Sequence, residues 1–144
     1  MPKEKSVSLC NRLAIHNLEE MIEMEEIKIK LAALWVALML TYLLGDVLRI
    51  YSGDFKAGEI AGKPITQAMW LGIAVFMLIP IVVVFLSVTL DYTANRWVNI
   101  IIAVVFLGFN LIGLPTYPSA YDKFLIVAGL VFNALTIWYA WSWT

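Results

Sequence analysis

The segment "AMWLGIAVFMLIPIVVVFLSVTL", residues 68–90, contains no charged residue. Its only polar side chains, Ser87 and Thr89, sit close to its end. A helix needs about 20 predominantly apolar residues to cross a bilayer core. A helix of a water-soluble bundle keeps one polar face, and this segment has none, so it reads as a membrane span. Three other runs read the same way: Leu31 to Leu48, Trp97 to Leu114 and Phe124 to Trp143. The expected fold is all-α, a transmembrane antiparallel four-helix bundle with a short N-terminal amphipathic helix. The spans are expected at about 31–50, 67–90, 96–114 and 121–143, within a membrane domain over 31–144 that follows a polar tail or helix over 1–30.

Composition agrees. Of 144 residues, 62% are hydrophobic and 15% charged, against roughly half and a quarter in soluble domains. The charges are segregated. Residues 1–30 hold Lys3, Lys5, Arg12, Lys28 and Lys30 together with Glu4, Glu19, Glu20, Glu23, Glu25 and Glu26. The net charge of -1 offers no basic face, so no nucleic-acid partner is expected.

The connections set the threading. Asp91 to Arg96 and Pro115 to Asp122 are short links, which make neighbouring helices antiparallel. Pro115 and Pro118 block helix in the second, and Ser119 with Asp122 fits a capping box. The long loop, Ile50 to Thr66, carries Gly53, Gly58, Gly62 and Pro64, and Thr66 suits a helix cap. Trp35, Trp70, Trp97, Trp138, Trp141 and Trp143 all fall near expected span ends, as in an interfacial aromatic belt. From Leu13 to Ile29 a helix gathers Ile15, Leu18, Met21, Ile22 and Ile29 on one arc, with Glu19, Glu20, Glu23 and Glu26 largely opposite. The reading favoured for it is a solvated or partly docked helix rather than a lipid sensor. Six basic residues on the side of the termini face four on the other, which leans both termini towards the cytoplasm of an inner-membrane protein.

The segments "KIKLAALWVALMLTYLLGDVL", "PITQAMWLGIAVFMLIPIVVVFLS", "YTANRWVNII" and "IWYAWSW" together resemble a bacterial family of small four-helix membrane proteins catalogued as a domain of unknown function. The arrangement is more distantly similar to the DoxX-like group. The most specific element is Asn95-Arg96-Trp97 with Asn99. The resemblance covers about Glu26 to Thr144, so Met21 or Met24 is a candidate start. Relatives often carry a glutamate where Leu78 stands. The resemblance implies a fold and a location and brings no reaction.

Cys10 and His16 are the chain's only cysteine and histidine, and both lie in the N-terminal tail. The spans therefore lack the usual haem and zinc ligands, thiol pairs and a Ser-His-Asp set. No Gly-rich phosphate loop occurs. No catalytic residue, metal or cofactor is expected.

Polar residues within the spans form stripes. Asn99 and Asn110, eleven apart, share a helix face. Gly129, Asn133, Thr136 and Ala140 share another, and Ala33, Ala37, Thr41 and Gly45 a third. Such faces pack helices. The sharper reading is a narrow polar pocket or pathway lined by Thr41, Asn110, Asn133 and Thr136. Pro80 sits midway along the second span, as a static kink or a hinge. Asp46, the only acidic residue expected within a span, lies about 24 Å along its helix from Lys30, near the far boundary of the bilayer core. Tyr42, Asp46 and Arg49 then form an interfacial cluster that ends the span, or Asp46 is a functional carboxylate just beneath the surface.

Three functions survive. The leading expectation is a structural or accessory membrane subunit, acting as a homo-oligomer or within a larger complex, with membrane lipid as its surroundings. The second is a small-solute or ion channel or transporter. The third, by analogy with the DoxX-like group alone, is a quinone- or lipid-binding protein.

Overall fold

The computed structural model describes the backbone of residues 2–54, 56, 58–60 and 63–143. Within these, side chains are described from residue 11 onward, save residue 60. Gly62 and the side chains of Lys3, Glu4, Lys5 and Cys10 lie outside that set. Helix α1 covers Pro2–Ser52, α2 Gln67–Thr89, α3 Tyr92–Gly113 and α4 Ala120–Ser142. All four are long and apolar enough to cross a membrane. They alternate in direction. α1 packs along α2 and α4, α4 along α3, and α2 meets α3 less closely.

The polar helix expected over 1–30 and the first span are one continuous helix of 51 residues, about 76 Å long at 1.5 Å per residue. The sequence explains the continuity. From Asn11 to Leu44 there is neither glycine nor proline, and ion pairs one turn apart support the polar half. His16 Nδ1 lies 3.3 Å from Glu20, Lys28 Nζ 3.0 Å from Glu25 and Lys30 Nζ 2.8 Å from Glu26. Residues 11–26 are all exposed. This segment is therefore an arm projecting beyond the bundle.

The long loop holds a small antiparallel pair, β1 (Glu59–Ile60) with β2 (Lys63–Pro64). Gly53 at φ +78° and Gly58 at φ +87° take the left-handed backbone that glycine tolerates. Thr66 caps α2, its hydroxyl accepting from the Met69 amide at 3.3 Å. Pro80 is buried within α2, and the helix continues past it. The Ser119–Asp122 capping box does not form. Ser119 occupies the N-cap position of α4 with no side-chain cap bond, because its hydroxyl donates to Asp54 instead.

The bundle inverts the usual pattern of a soluble protein. Large apolar side chains cover its outside: Leu71, Phe85, Ile101, Phe124 and Trp138 are all exposed. Its interior holds Ser87, Asn95, Asn99, Asn110, Asp122, Asn133 and Thr136. Such an exterior suits hydrocarbon, where helix contacts rely on close packing and interhelical hydrogen bonds. The central apolar layer is Trp35, Leu38, Val83, Ala103 and Phe106, with the Phe76 ring stacked on Phe106 at 4.7 Å. Trp35 and Trp143 are 1% and 2% exposed, so the expected belt loses two members to the core. Trp70, Trp97, Trp138 and Trp141 remain on the outer surface.

Candidate functional site

Polar side chains gather at both ends of the bundle interior, and the two ends differ in whether they enclose free space. At the end nearest the termini, Asn99 is the hub. Its Oδ1 accepts from Trp35 Nε1 at 2.6 Å and from Ser87 Oγ at 3.1 Å. Its Nδ2 donates to the Asn95 side-chain oxygen at 2.6 Å, and Asn95 Nδ2 donates to the Ser87 carbonyl at 2.6 Å. Arg96 donates to Tyr92 and to the Trp141 carbonyl, and Tyr92 donates to the Trp143 carbonyl. This network locks α1, α2 and α3 together and ties the end of α4 to α3, with Arg96 Nε buried and unpartnered. It reads as structure.

The opposite end holds a cavity of about 100 Å³. α1 contributes Thr41, Tyr42, Asp46 and Arg49; α3 contributes Asn110; Tyr117 follows α3; and α4 contributes Asp122. Met77, Phe109, Leu125 and Ile126 form apolar walls. Asp122 is only 3% exposed. Its Oδ1 accepts from Arg49 Nε at 3.0 Å. The Arg49 guanidinium lies 4.0 Å over the Tyr117 ring. Asp46 is a looser partner, 3.9 Å from Arg49 Nη1, with its side chain 66% exposed. Asn110 Nδ2 donates to the Tyr42 hydroxyl at 2.5 Å.

These distances place each residue singled out in the sequence. Tyr42, Asp46 and Arg49 all border the cavity, but the Tyr42 hydroxyl pairs with Asn110 and Arg49 makes its short contact to Asp122. Thr41 and Asn110 line the same space; Asn133 and Thr136 do not. Thr136 returns its hydroxyl proton to the Phe132 carbonyl at 2.9 Å. Asn133 lies next to the Tyr42 hydroxyl without hydrogen-bond geometry, and both its amide atoms are buried and unpartnered. Pro80 does not line the cavity, although Met77, about one turn before it on α2, does. The residue missed by the sequence reading is Asp122, assigned there to a helix cap. Antiparallel threading carried the signal: Arg49 ends the first span on the same side on which Asp122 begins the fourth.

Outside the cavity, Asp54 tethers the long loop. Its Oδ2 accepts from Ser119 Oγ at 2.5 Å and from Tyr121 Oη at 2.7 Å. These bonds, Ser119's first, hold its carboxyl below the usual value of 3.8, because they favour the charged form. A folded pKa below the unfolded one stabilises the tether above the unfolded pKa, and that contribution is lost as pH falls through the folded value. Hydrogen exchange of the 53–66 backbone is therefore expected to accelerate, relative to intrinsic rates, below about pH 4. Asp54→Asn is expected to abolish that pH dependence. An unchanged profile in the variant would refute the tether.

Among the described residues no group of three or more His, Cys, Asp or Glu side chains is placed to hold a metal ion. Fold and site together define a bundle of four membrane-length apolar helices, closed by hydrogen bonds at one end and hollowed by a mixed-charge cavity at the other. The chain belongs to DUF6326, a family of unknown function, whose model matches residues 20–144. No curated protein and no solved structure matches it. The match takes in the whole bundle and the last turns of the α1 arm.

Proposed function

We propose that this chain is a multi-pass protein of the inner, cytoplasmic membrane, with both termini in the cytoplasm, that binds a small solute in the cavity at the far end of its bundle as part of its transport. The carrying observation is the contrast between the two ends. One is filled by a hydrogen-bonded network with no cavity beside it among the described residues, although Arg96 Nε is buried there without a partner. The other keeps a cavity beside a buried ion pair, with the unpartnered Asn133 deeper in the bundle. Ionisable groups at membrane depth mark binding sites and pathways more often than scaffolding. The glycines of the small-residue faces, which favoured an accessory subunit, are occupied within the chain, while Ala33 is exposed. A side chain at Gly129 would meet Leu38 at 3.4 Å and Tyr42 at 3.5 Å, and one at Gly45 would meet Leu125 at 3.6 Å. A quinone headgroup fits poorly, since benzene alone takes a cavity of about 150 Å³.

The accessory reading keeps one specific support, the α1 arm, where Leu18, Met21 and Ile22 are exposed on one arc. Native mass spectrometry of protein released gently from its own membrane separates the two. A stoichiometric small molecule retained by the chain is the expected result. A defined hetero-complex with no such molecule would overturn the solute reading in favour of the arm.

A further inference from the structure

The polar half of α1 carries an apolar stripe at heptad spacing. Ile15, Ile22 and Ile29 recur every seven residues, with Leu18 three residues after the first. All four are more than half exposed. At about 100° per residue they lie on the side of the helix roughly opposite Ile27, Leu31, Trp35 and Leu38, which pack into the bundle. The bundle therefore leaves this side uncovered. A contiguous apolar stripe in an otherwise charged segment marks a contact surface. The same side continues along the helix as Ala33, Val36, Leu40 and Leu43, all exposed.

We infer that α1 pairs with α1 of a second copy of this chain, parallel and in register, about a two-fold axis along the helices. Spacing selects that occupant first. Isoleucine at the a position with leucine at d favours a parallel two-stranded coiled coil, and a strict seven-residue repeat keeps the seam facing its partner. Geometry agrees. With the membrane placement proposed above, every copy projects its arm from the same face, in the same direction and at the same height. Ile15, Ile22 and Ile29 then meet their own counterparts without sliding. Charge permits the contact. The one charged residue within the stripe, Glu25, is held by Lys28 at 3.0 Å, and Glu26 beside it by Lys30 at 2.8 Å, so this end of the stripe presents little net charge to an identical surface. A lipid surface is a poorer occupant, since helices that lie on it are rich in lysine and arginine. Residues 11–26 hold one arginine against five glutamates, and α1 runs on unbroken from them. Area sets the extent of the contact. A specific interface buries about 800 Å² per partner from roughly 20–30 residues. The arm stripe alone is shorter than that, so the contact continues past residue 30, where the exposed Ala33 lets two backbones approach.

The test replaces Cys10, the chain's only cysteine, with serine. Single cysteines are then introduced as Ile15→Cys, Ile22→Cys or Ile29→Cys, with Glu20→Cys on the opposite side as the control. Membrane vesicles holding the full chain are oxidised with copper-phenanthroline, and disulfide-linked dimers are followed on non-reducing gels. All three stripe positions are expected to link at least tenfold faster than Glu20→Cys. Linking at only one of the three would overturn the parallel register. Equal rates for Ile22→Cys and Glu20→Cys would mean random collision and overturn the pairing. Ile22→Glu is a second variant, and it spares the bundle because residue 22 lies outside it. Native mass spectrometry is expected to show a dimer for the wild type and a monomer for Ile22→Glu, with helicity unchanged by circular dichroism. A dimer that persists in Ile22→Glu would overturn the pairing, as would a wild-type chain that is monomeric or held by a different protein. Alkaline carbonate extraction of the vesicles checks the membrane placement separately. A chain that stays in the membrane without linking overturns the pairing alone, and a chain that is released overturns the placement and the register with it.

Discussion

Arg49→Leu is expected to destabilise the bundle by about 3 kcal/mol, the largest loss of any single replacement at the cavity. Removing one partner of a buried ion pair leaves the other charge without compensation, at about 3–5 kcal/mol. Asp122 is 3% exposed and loses its only close cation when Arg49 is gone. The reverse deletion is milder. The Arg49 side chain is 23% exposed, and a long guanidinium side chain can turn towards the surface, so Asp122→Asn is expected to cost about 1–2 kcal/mol. The apolar double replacement Arg49→Met with Asp122→Leu removes both charges and is expected to recover most of the loss, since buried pairs rarely outdo apolar packing. The measurement is a double-mutant cycle on unfolding in mixed micelles. Additive single effects, with no coupling between the positions, would show that the 3.0 Å contact contributes nothing.

The same pair shows where sequence reading stops. The four membrane-length helices were legible because crossing a bilayer would impose one demand on every exposed position, and an uncharged stretch such as 68–90 meets it without reference to any partner. Helix direction followed from the short links at 91–96 and 115–122. Which polar side chain meets which was a different matter. Tyr42, Asp46 and Arg49 share a face at one-turn spacing, so a local cluster was the natural reading. The folded chain instead supplies partners from distant positions, Asn110 to Tyr42 and Asp122 to Arg49, 68 and 73 residues away. Trp35 was hidden for a related reason. Its place near a span end matches an interfacial anchor, while the acceptor that buries it, Asn99 Oδ1, is 64 residues on. The α1 arm was misjudged at its boundary alone: a change from polar to apolar composition at residue 30 alters the solvent that the helix prefers, not the backbone's tendency to remain helical.

Asn133→Leu is expected to make the protein more stable and less functional. The Asn133 amide is 1% exposed, and neither its nitrogen nor its oxygen has a partner. An unsatisfied buried polar group costs about 1–3 kcal/mol, and an apolar replacement of similar shape removes that penalty. Leucine branches at the same carbon as asparagine, so a gain of about 1–2 kcal/mol is expected after some loss to its extra volume. Asn133→Val provides a smaller check on packing. Local packing rules are broken most often at functional sites, and this residue adjoins Tyr42, which borders the cavity. Retention of the small molecule sought by native mass spectrometry is therefore expected to fall at least tenfold in the leucine variant while its unfolding midpoint rises. A rise in stability with retention unchanged would make Asn133 a frustrated packing residue and end the path at Tyr42 and Asn110. A fall in stability in both variants would mean that the amide is satisfied in the working protein, and the penalty assigned to it here would be withdrawn.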